Sequence, residues 1–168
     1  MNTQVITIHD NAKTASLLRE IAKPITEFGS DELEQLVNRL FKIMGEANGA
    51  GLAAPQIGVS ERVFVYGFDF NPRYPDAAAV PKTVVINPEV LWKSEETAEY
   101  EEGCLSVPSQ RGFVTRHKSV IFTTMDINGI MHEKTVTDFE ARIVQHEIDH
   151  LNGILFSDLA KVLRDSTL

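Results

Sequence analysis

A chain of 168 residues, 43% hydrophobic and 24% charged, is long enough for one globular domain with a real core. Its net charge of -8 excludes broad, non-specific attachment to nucleic acid or anionic membrane, since both need basic surface. One cysteine, Cys104, excludes an internal disulfide, and no apolar run approaches membrane-spanning length. Met1-Asn2-Thr3-Gln4-Val5 lacks the basic-then-apolar pattern of a signal peptide, so a reducing, cytoplasmic setting is expected.

Gln4–Ile8 reads as a short segment ending at His9-Asp10, with His9 a surface histidine. Thr14 to Ala22 has helical spacing (Leu17, Leu18, Ile21) and stops before Pro24. Ser30-Asp31-Glu32 combines a capping side chain with acids in a first turn. Leu33, Leu36, Val37, Leu40, Phe41 and Met44 then predict an amphipathic helix over 31–47, a packing element without chemistry.

The stretch Asn48-Gly49-Ala50-Gly51-Leu52-Ala53-Ala54-Pro55-Gln56-Ile57-Gly58 is rich in small residues, so its backbone is open to close approach. It lacks the spacing of a phosphate cradle. It reads either as a helix-to-strand connection or as a loop whose amides and Gln56 carboxamide face a small bound group. Arg62–Phe68 predicts a strand, and Asp69–Lys82, with three prolines, a surface loop. Thr83–Asn87 predicts a strand broken by Pro88, and Val90–Lys93 another. Ser94–Glu101 is acidic and exposed on at least one side. Glu102-Gly103-Cys104-Leu105-Ser106-Val107-Pro108 carries the lone thiol.

Ser119–Ile127 and Ile130–Val136, joined by Asn128-Gly129, predict a hairpin with a two-residue type I′ turn. Thr137-Asp138-Phe139-Glu140 matches a capping box. The helix after it reaches Asn152, with Gly153 as its stop. These elements together predict an α+β fold, mostly antiparallel sheets packed around a central metal-binding helix, in a single catalytic domain over 1–168.

That last helix contains Gln145-His146-Glu147-Ile148-Asp149-His150, an H-E-x-x-H motif. Histidines four apart share a helix face, so both imidazoles can reach one metal ion. The intervening glutamate can lie beside a metal-bound water and shuttle its proton. The motif supplies only two protein ligands. The metzincin pattern fails because Phe156 stands where a third histidine would be, and no glutamate follows His150. An upstream ligand is therefore needed. Cys104 is the best candidate, because Cys-His-His leaves the open position a catalytic site requires. His117, His132 or a carboxylate are the alternatives.

Gly49–Gly58, Glu102–Ser106 and Gln145–His150 resemble, in order and separation, the three signature blocks of the peptide deformylases. The similarity extends to nearly the whole chain. It implies removal of the formyl group from the N-terminal formyl-methionine of newly synthesised polypeptides. It implies Cys104, His146 and His150 as ligands of one divalent ion, Fe2+ physiologically, with Zn2+, Ni2+ or Co2+ able to substitute. Glu147 would be general base and acid. Gln56 and the Leu105 amide would face the formyl oxygen, and Gly51 would pair with the peptide backbone. Phe139 and Ile143 are expected to help line the methionine pocket, and Glu102 and Arg111 to form either a supporting pair or a surface ion pair. The partners expected are the nascent chain and a transient ribosome contact, with no membrane and no nucleic-acid function. Two departures from the family are a long 69–82 loop and a short tail after Leu155.

Overall fold

The computed structural model describes residues 4–166; the start of the N-terminal segment discussed above lies outside them. Two antiparallel sheets flank one helix. The larger sheet has the order β1 (Gly51–Ala53), β2 (Val63–Phe68), β3 (Val80–Lys93), β6 (Ser119–Met125) and β7 (Met131–Thr137). The smaller one joins β4 (Thr97–Cys104), β5 (Val107–His117) and β8 (Leu163–Asp165). Helix α3 (Asp138–Leu151) touches β1, β2, β6 and β7 of the first sheet and β5 of the second, so it is the common wall of both. The expected α+β architecture is the one observed.

The hydrophobic pattern explains why α2 (Asp31–Glu46) lies where it does. Leu33, Val37, Leu40, Ile43 and Met44 form one buried stripe, packed with Leu52, Val63 and Val65 of the larger sheet. Ser30 caps the helix by accepting from the Leu33 amide, as its position predicts. Strand β2 is buried along its whole length, so it reads as a continuous apolar run rather than an alternating one.

Several expectations needed correction. The predicted helix over 14–22 is a single α-turn, α1 (Ala12–Ala15), followed by a 3₁₀ turn (Ser16–Arg19). The chain then extends because Ala22 donates to the Leu151 carbonyl, docking the segment on the end of α3. Thr83–Asn87 and Val90–Lys93 belong to one strand, β3, which also includes Pro81 and Pro88. Pro88 is tolerated because a bulge separates Ile86 from Glu89, with Asn87 at φ 50°. The Asn87 carboxamide holds the bulge by bonding both the amide and the carbonyl of Ile25.

The hairpin forms, but its turn is not type I′. Asp126 and Ile130 still pair, and Gly129 alone takes φ > 0, at 81°. Asp126 Oδ1 accepts from the amides of both Asn128 and Ile130, which favours this three-residue loop. The Thr137 capping box is also absent. Thr137 remains in the β7 ladder opposite Ser119, Asp138 donates to the Lys118 carbonyl, and Glu140 instead accepts from the Tyr66 hydroxyl at 2.8 Å. Gly153 does stop α3, at φ 73° and pressed against the Arg19 carbonyl. The short tail forms α4 (Phe156–Leu159) and then β8, which closes the edge of β5.

Candidate metal centre

The central helix brings His146 and His150 to one face, and the end of β4 delivers Cys104 to the same point. One ligand atom from each lies within 4.8 Å of the others, a group that could hold a metal ion. Cys104 Sγ is 3.2 Å from His150 Nε2. The thiol and His150 are buried, and His146 is nearly so. One soft sulfur and two imidazoles at this spacing suit a borderline divalent cation. His117 and His132 do not approach: His117 Nδ1 bonds the Ser94 carbonyl, and His132 pairs with Asp126.

Glu102 orients this group. Its carboxylate accepts from His146 Nδ1 at 2.9 Å, from Arg116 Nε at 2.9 Å and Nη2 at 3.0 Å, and from Arg142 Nη1 at 2.8 Å. Arg116 continues the network to Asp149, on the motif helix itself. With Nδ1 committed to Glu102, His146 has Nε2 as its remaining ring nitrogen for a metal. Burial works against charge on Glu102, but hydrogen bonds from His146 and Arg116 outweigh it and hold the carboxyl well below the usual range. Burial likewise opposes the Cys104 thiolate, yet the charge of His150 and bonds from His146 and His150 lower its pKa well below the ordinary thiol value. The arrangement therefore favours the thiolate a metal requires.

Glu147 faces the same cavity. It is 3% exposed, and its Oε2 has no hydrogen-bond partner among the described residues. Burial pushes its carboxyl up to about 7, with His146 and His150 opposing and Cys104 and Glu102 adding to the rise. A carboxyl with that affinity is suited to exchanging a proton near neutral pH. Gly51 is packed on it: a Cβ built there would lie 2.5 Å from Glu147 Oε1.

The glycine-rich block is more than a connection. Gly51–Ala53 forms the edge strand β1, and a 3₁₀ turn (Ala54–Ile57) carries Gln56 into the core. Gln56 Oε1 accepts from the Ala53 amide at 2.9 Å. Its Nε2 is thereby turned toward Ser106 Oγ at 3.1 Å and Cys104 Sγ at 3.7 Å. Leu105 follows Cys104 in the turn between β4 and β5, and both Gln56 and Leu105 line the cavity. Phe139 and Ile143 of α3 line it too, making one wall apolar.

Residues 3–165 match the family model described as polypeptide deformylase. The chain is 47% identical over 155 residues to peptide deformylase 1 of Nitrosomonas europaea, covering 90% of this chain and 88% of that protein. It is 50% identical over 141 residues to peptide deformylase 2 of Ralstonia nicotianae, covering 84% and 80%. The chain belongs to the polypeptide deformylase family. Among solved structures, a Met-Ala-Ser-bound class I type b peptide deformylase from Acinetobacter baumannii superposes with a TM-score of 0.86 at 42% identity, covering 95% of this chain and 99% of that one. Membership makes this chain a hydrolase, and the family is metal-dependent.

Two features of this deformylase centre escaped the sequence. Glu102 pairs with Arg116 and Arg142, whereas Arg111 pairs with Glu101, so the expected Glu102–Arg111 pair does not form. No spacing rule links residues 102, 116 and 142; only the sheet and helix bring them together. The 69–82 loop is not merely a surface loop either. Tyr74 is buried, its ring 5.0 Å from Phe139, and its hydroxyl accepts from the Gly103 amide at 3.1 Å. The loop thus forms part of the cavity wall. Among the described residues no helix is long and apolar enough to cross a membrane.

Proposed function

We propose that residues 1–168 act as one catalytic domain that hydrolyses the N-formyl group from the N-terminal formyl-methionine of newly synthesised polypeptides, releasing formate. The observation that carries this reading is the buried Glu147 carboxylate lining one cavity with Cys104 and His146, beside the converging Cys104, His146 and His150 ligand atoms. Family membership and the Met-Ala-Ser ligand of the Acinetobacter relative support a peptide substrate.

Cys104, His146 and His150 would hold one divalent ion, Fe2+ physiologically, with Zn2+, Ni2+ or Co2+ as substitutes. Once bound, the ion supplies Lewis acidity, lowering the pKa of water toward 7 and polarising the formyl carbonyl. The remaining work falls to the protein. Glu147 takes a proton from the attacking water and later delivers a proton to the leaving amine nitrogen. The C–N bond breaks, giving formate and a free N-terminal methionine. Gln56 Nε2 and the Leu105 amide donate to the oxyanion that develops on the formyl carbon's oxygen. The open edge of β1 at Gly51 offers main-chain groups to the peptide backbone, as in strand addition. Tyr74, Phe139 and Ile143 give the methionine side chain an apolar recess.

The enzyme would act in the reducing cytoplasm, where Cys104 stays a thiolate, with transient ribosome contact. Glu147→Ala tests the assignment. With Fe2+ or Ni2+ added anaerobically, metal content is retained while kcat falls by about 10²–10⁴. Loss of the metal in that variant would instead make Glu147 a structural residue.

A further inference from the structure

One side chain of the 69–82 segment stands at a junction. Arg73 lines the cavity described above and also two adjoining grooves. One groove runs past Tyr100, Arg111 and Arg164, and the other past Asn48, Leu105 and Gln110. The loop holds Arg73 in place. Asn71 accepts from the Arg73 amide at 2.9 Å and donates to the Asn48 carbonyl at 3.0 Å, tying the loop to the glycine-rich block. The guanidinium lies 6.0 Å from the centre of the Tyr74 ring, which Phe139 and Gly103 hold.

Its neighbours leave Arg73 without an anion. Glu101 is engaged by Arg111 and by Arg164, and among the described residues no carboxylate forms an ion pair with Arg73. Arg111, 6% exposed, also keeps its Nη1 without a partner. These two guanidinium groups converge. A Cβ built on Gly103 would lie 3.0 Å from Arg73 Nη2 and 3.2 Å from Arg111 Nη1. Because residue 103 is glycine, no side chain of its own separates the two guanidinium groups beside Cys104. One carboxylate can accept from two nitrogens so placed.

We infer that Arg73, with Arg111 behind it, forms a carboxylate subsite that selects formyl-Met peptides bearing an acidic side chain at the second residue. The inference rests on the deformylase reading. Arg73 and Gly103 line the same cavity as Glu147, Phe139 and Ile143, so a peptide with its formyl group at Glu147 and its methionine in that recess would bring its following residue within reach of Arg73. The adjoining groove also carries Asp76, Glu101 and Asp165, so the attraction is a short-range one at the Arg73 guanidinium and not that of a basic field.

The test uses formyl-Met-X-Ser peptides with amidated C-termini, so that the side chain of X is the only carboxylate, and the metal-loaded full chain. Wild type is expected to process X = Glu about tenfold better than X = Gln in kcat/KM, between the effect of an exposed pair and that of a desolvated charged hydrogen bond. Arg73→Gln brings that ratio close to one, and Arg73→Glu turns the preference toward X = Lys, which a merely structural role would not do. An unchanged ratio in Arg73→Gln overturns the inference, as does a preference that appears only when the peptide's own C-terminal carboxylate is free. Turnover of all three peptides at equal rates by wild type overturns the subsite alone. Turnover of none overturns the deformylase reading beneath it.

Discussion

Glu102→Gln probes the network that orients the centre. Glu102 is 2% exposed and accepts four hydrogen bonds, three of them from Arg116 and Arg142. Glutamine keeps one acceptor oxygen and presents an NH₂ to donors that need acceptors. Arg116 retains Asp149, and Arg142 retains the carbonyls of Val114 and Ala98, but both lose their buried counter-charge. Breaking a buried pair from one side costs about 3–5 kcal/mol. His146 also loses the carboxylate that fixes its ring, which costs about 10–100-fold in metal affinity. Urea unfolding at pH 7 and metal titration by competition with a chelator measure the two effects. The pH dependence has a definite sign. The folded pKa of Glu102 lies below the unfolded value near ~4.3, so its stabilisation is present above that pH and is lost as pH falls below it. The variant should therefore lose stability less steeply than wild type in acid. Unchanged midpoint and unchanged metal affinity would refute the orienting role.

Two further outcomes are expected. Gly51→Ala would push the Glu147 carboxylate aside, since its Cβ would come within 2.5 Å of Oε1. That Cβ would also come within 2.9 Å of Cδ and 3.0 Å of Cγ, so the buried Glu147 side chain must shift as a whole, and a lowered melting temperature should accompany a fall in kcat/KM of about 10²-fold. Tyr66 is buried and donates to Glu140; burial, then the charge of Glu140, raises its pKa above the ordinary value near ~10. Its stabilisation is thus complete below that pH and is lost as pH rises past it, so unfolding followed from pH 8 to 11 should show an alkaline loss in wild type that Tyr66→Phe lacks.

The elements legible in the sequence are those whose signal is local. The stripe from Leu33 to Met44 repeats over about three turns, so α2 could be bounded to within a residue. The His146 and His150 pair required only helical spacing to share a face. What stayed hidden depends on tertiary geometry. Pro88 reads locally as a break, yet the Asn87 bulge and its bonds to Ile25 carry β3 through it. Thr137 reads as a cap, but ladder pairing with Ser119 fixes it elsewhere. The Glu102 network joins residues 14 and 40 positions apart, beyond the reach of any periodicity. Tyr74 sits in a proline-rich stretch whose composition says loop, while its ring and hydroxyl close the cavity. Cys104 stood out as the best upstream candidate because it is the one thiol, with His117, His132 or a carboxylate left open.

The most direct test of the account is formate release from formyl-Met-Ala-Ser, set against acetyl-Met-Ala-Ser, by protein purified anaerobically with Fe2+ or Ni2+. The account predicts stoichiometric formate and free methionyl peptide from the first, with the acetyl peptide processed far more slowly. An untouched formyl peptide in metal-loaded protein would contradict it.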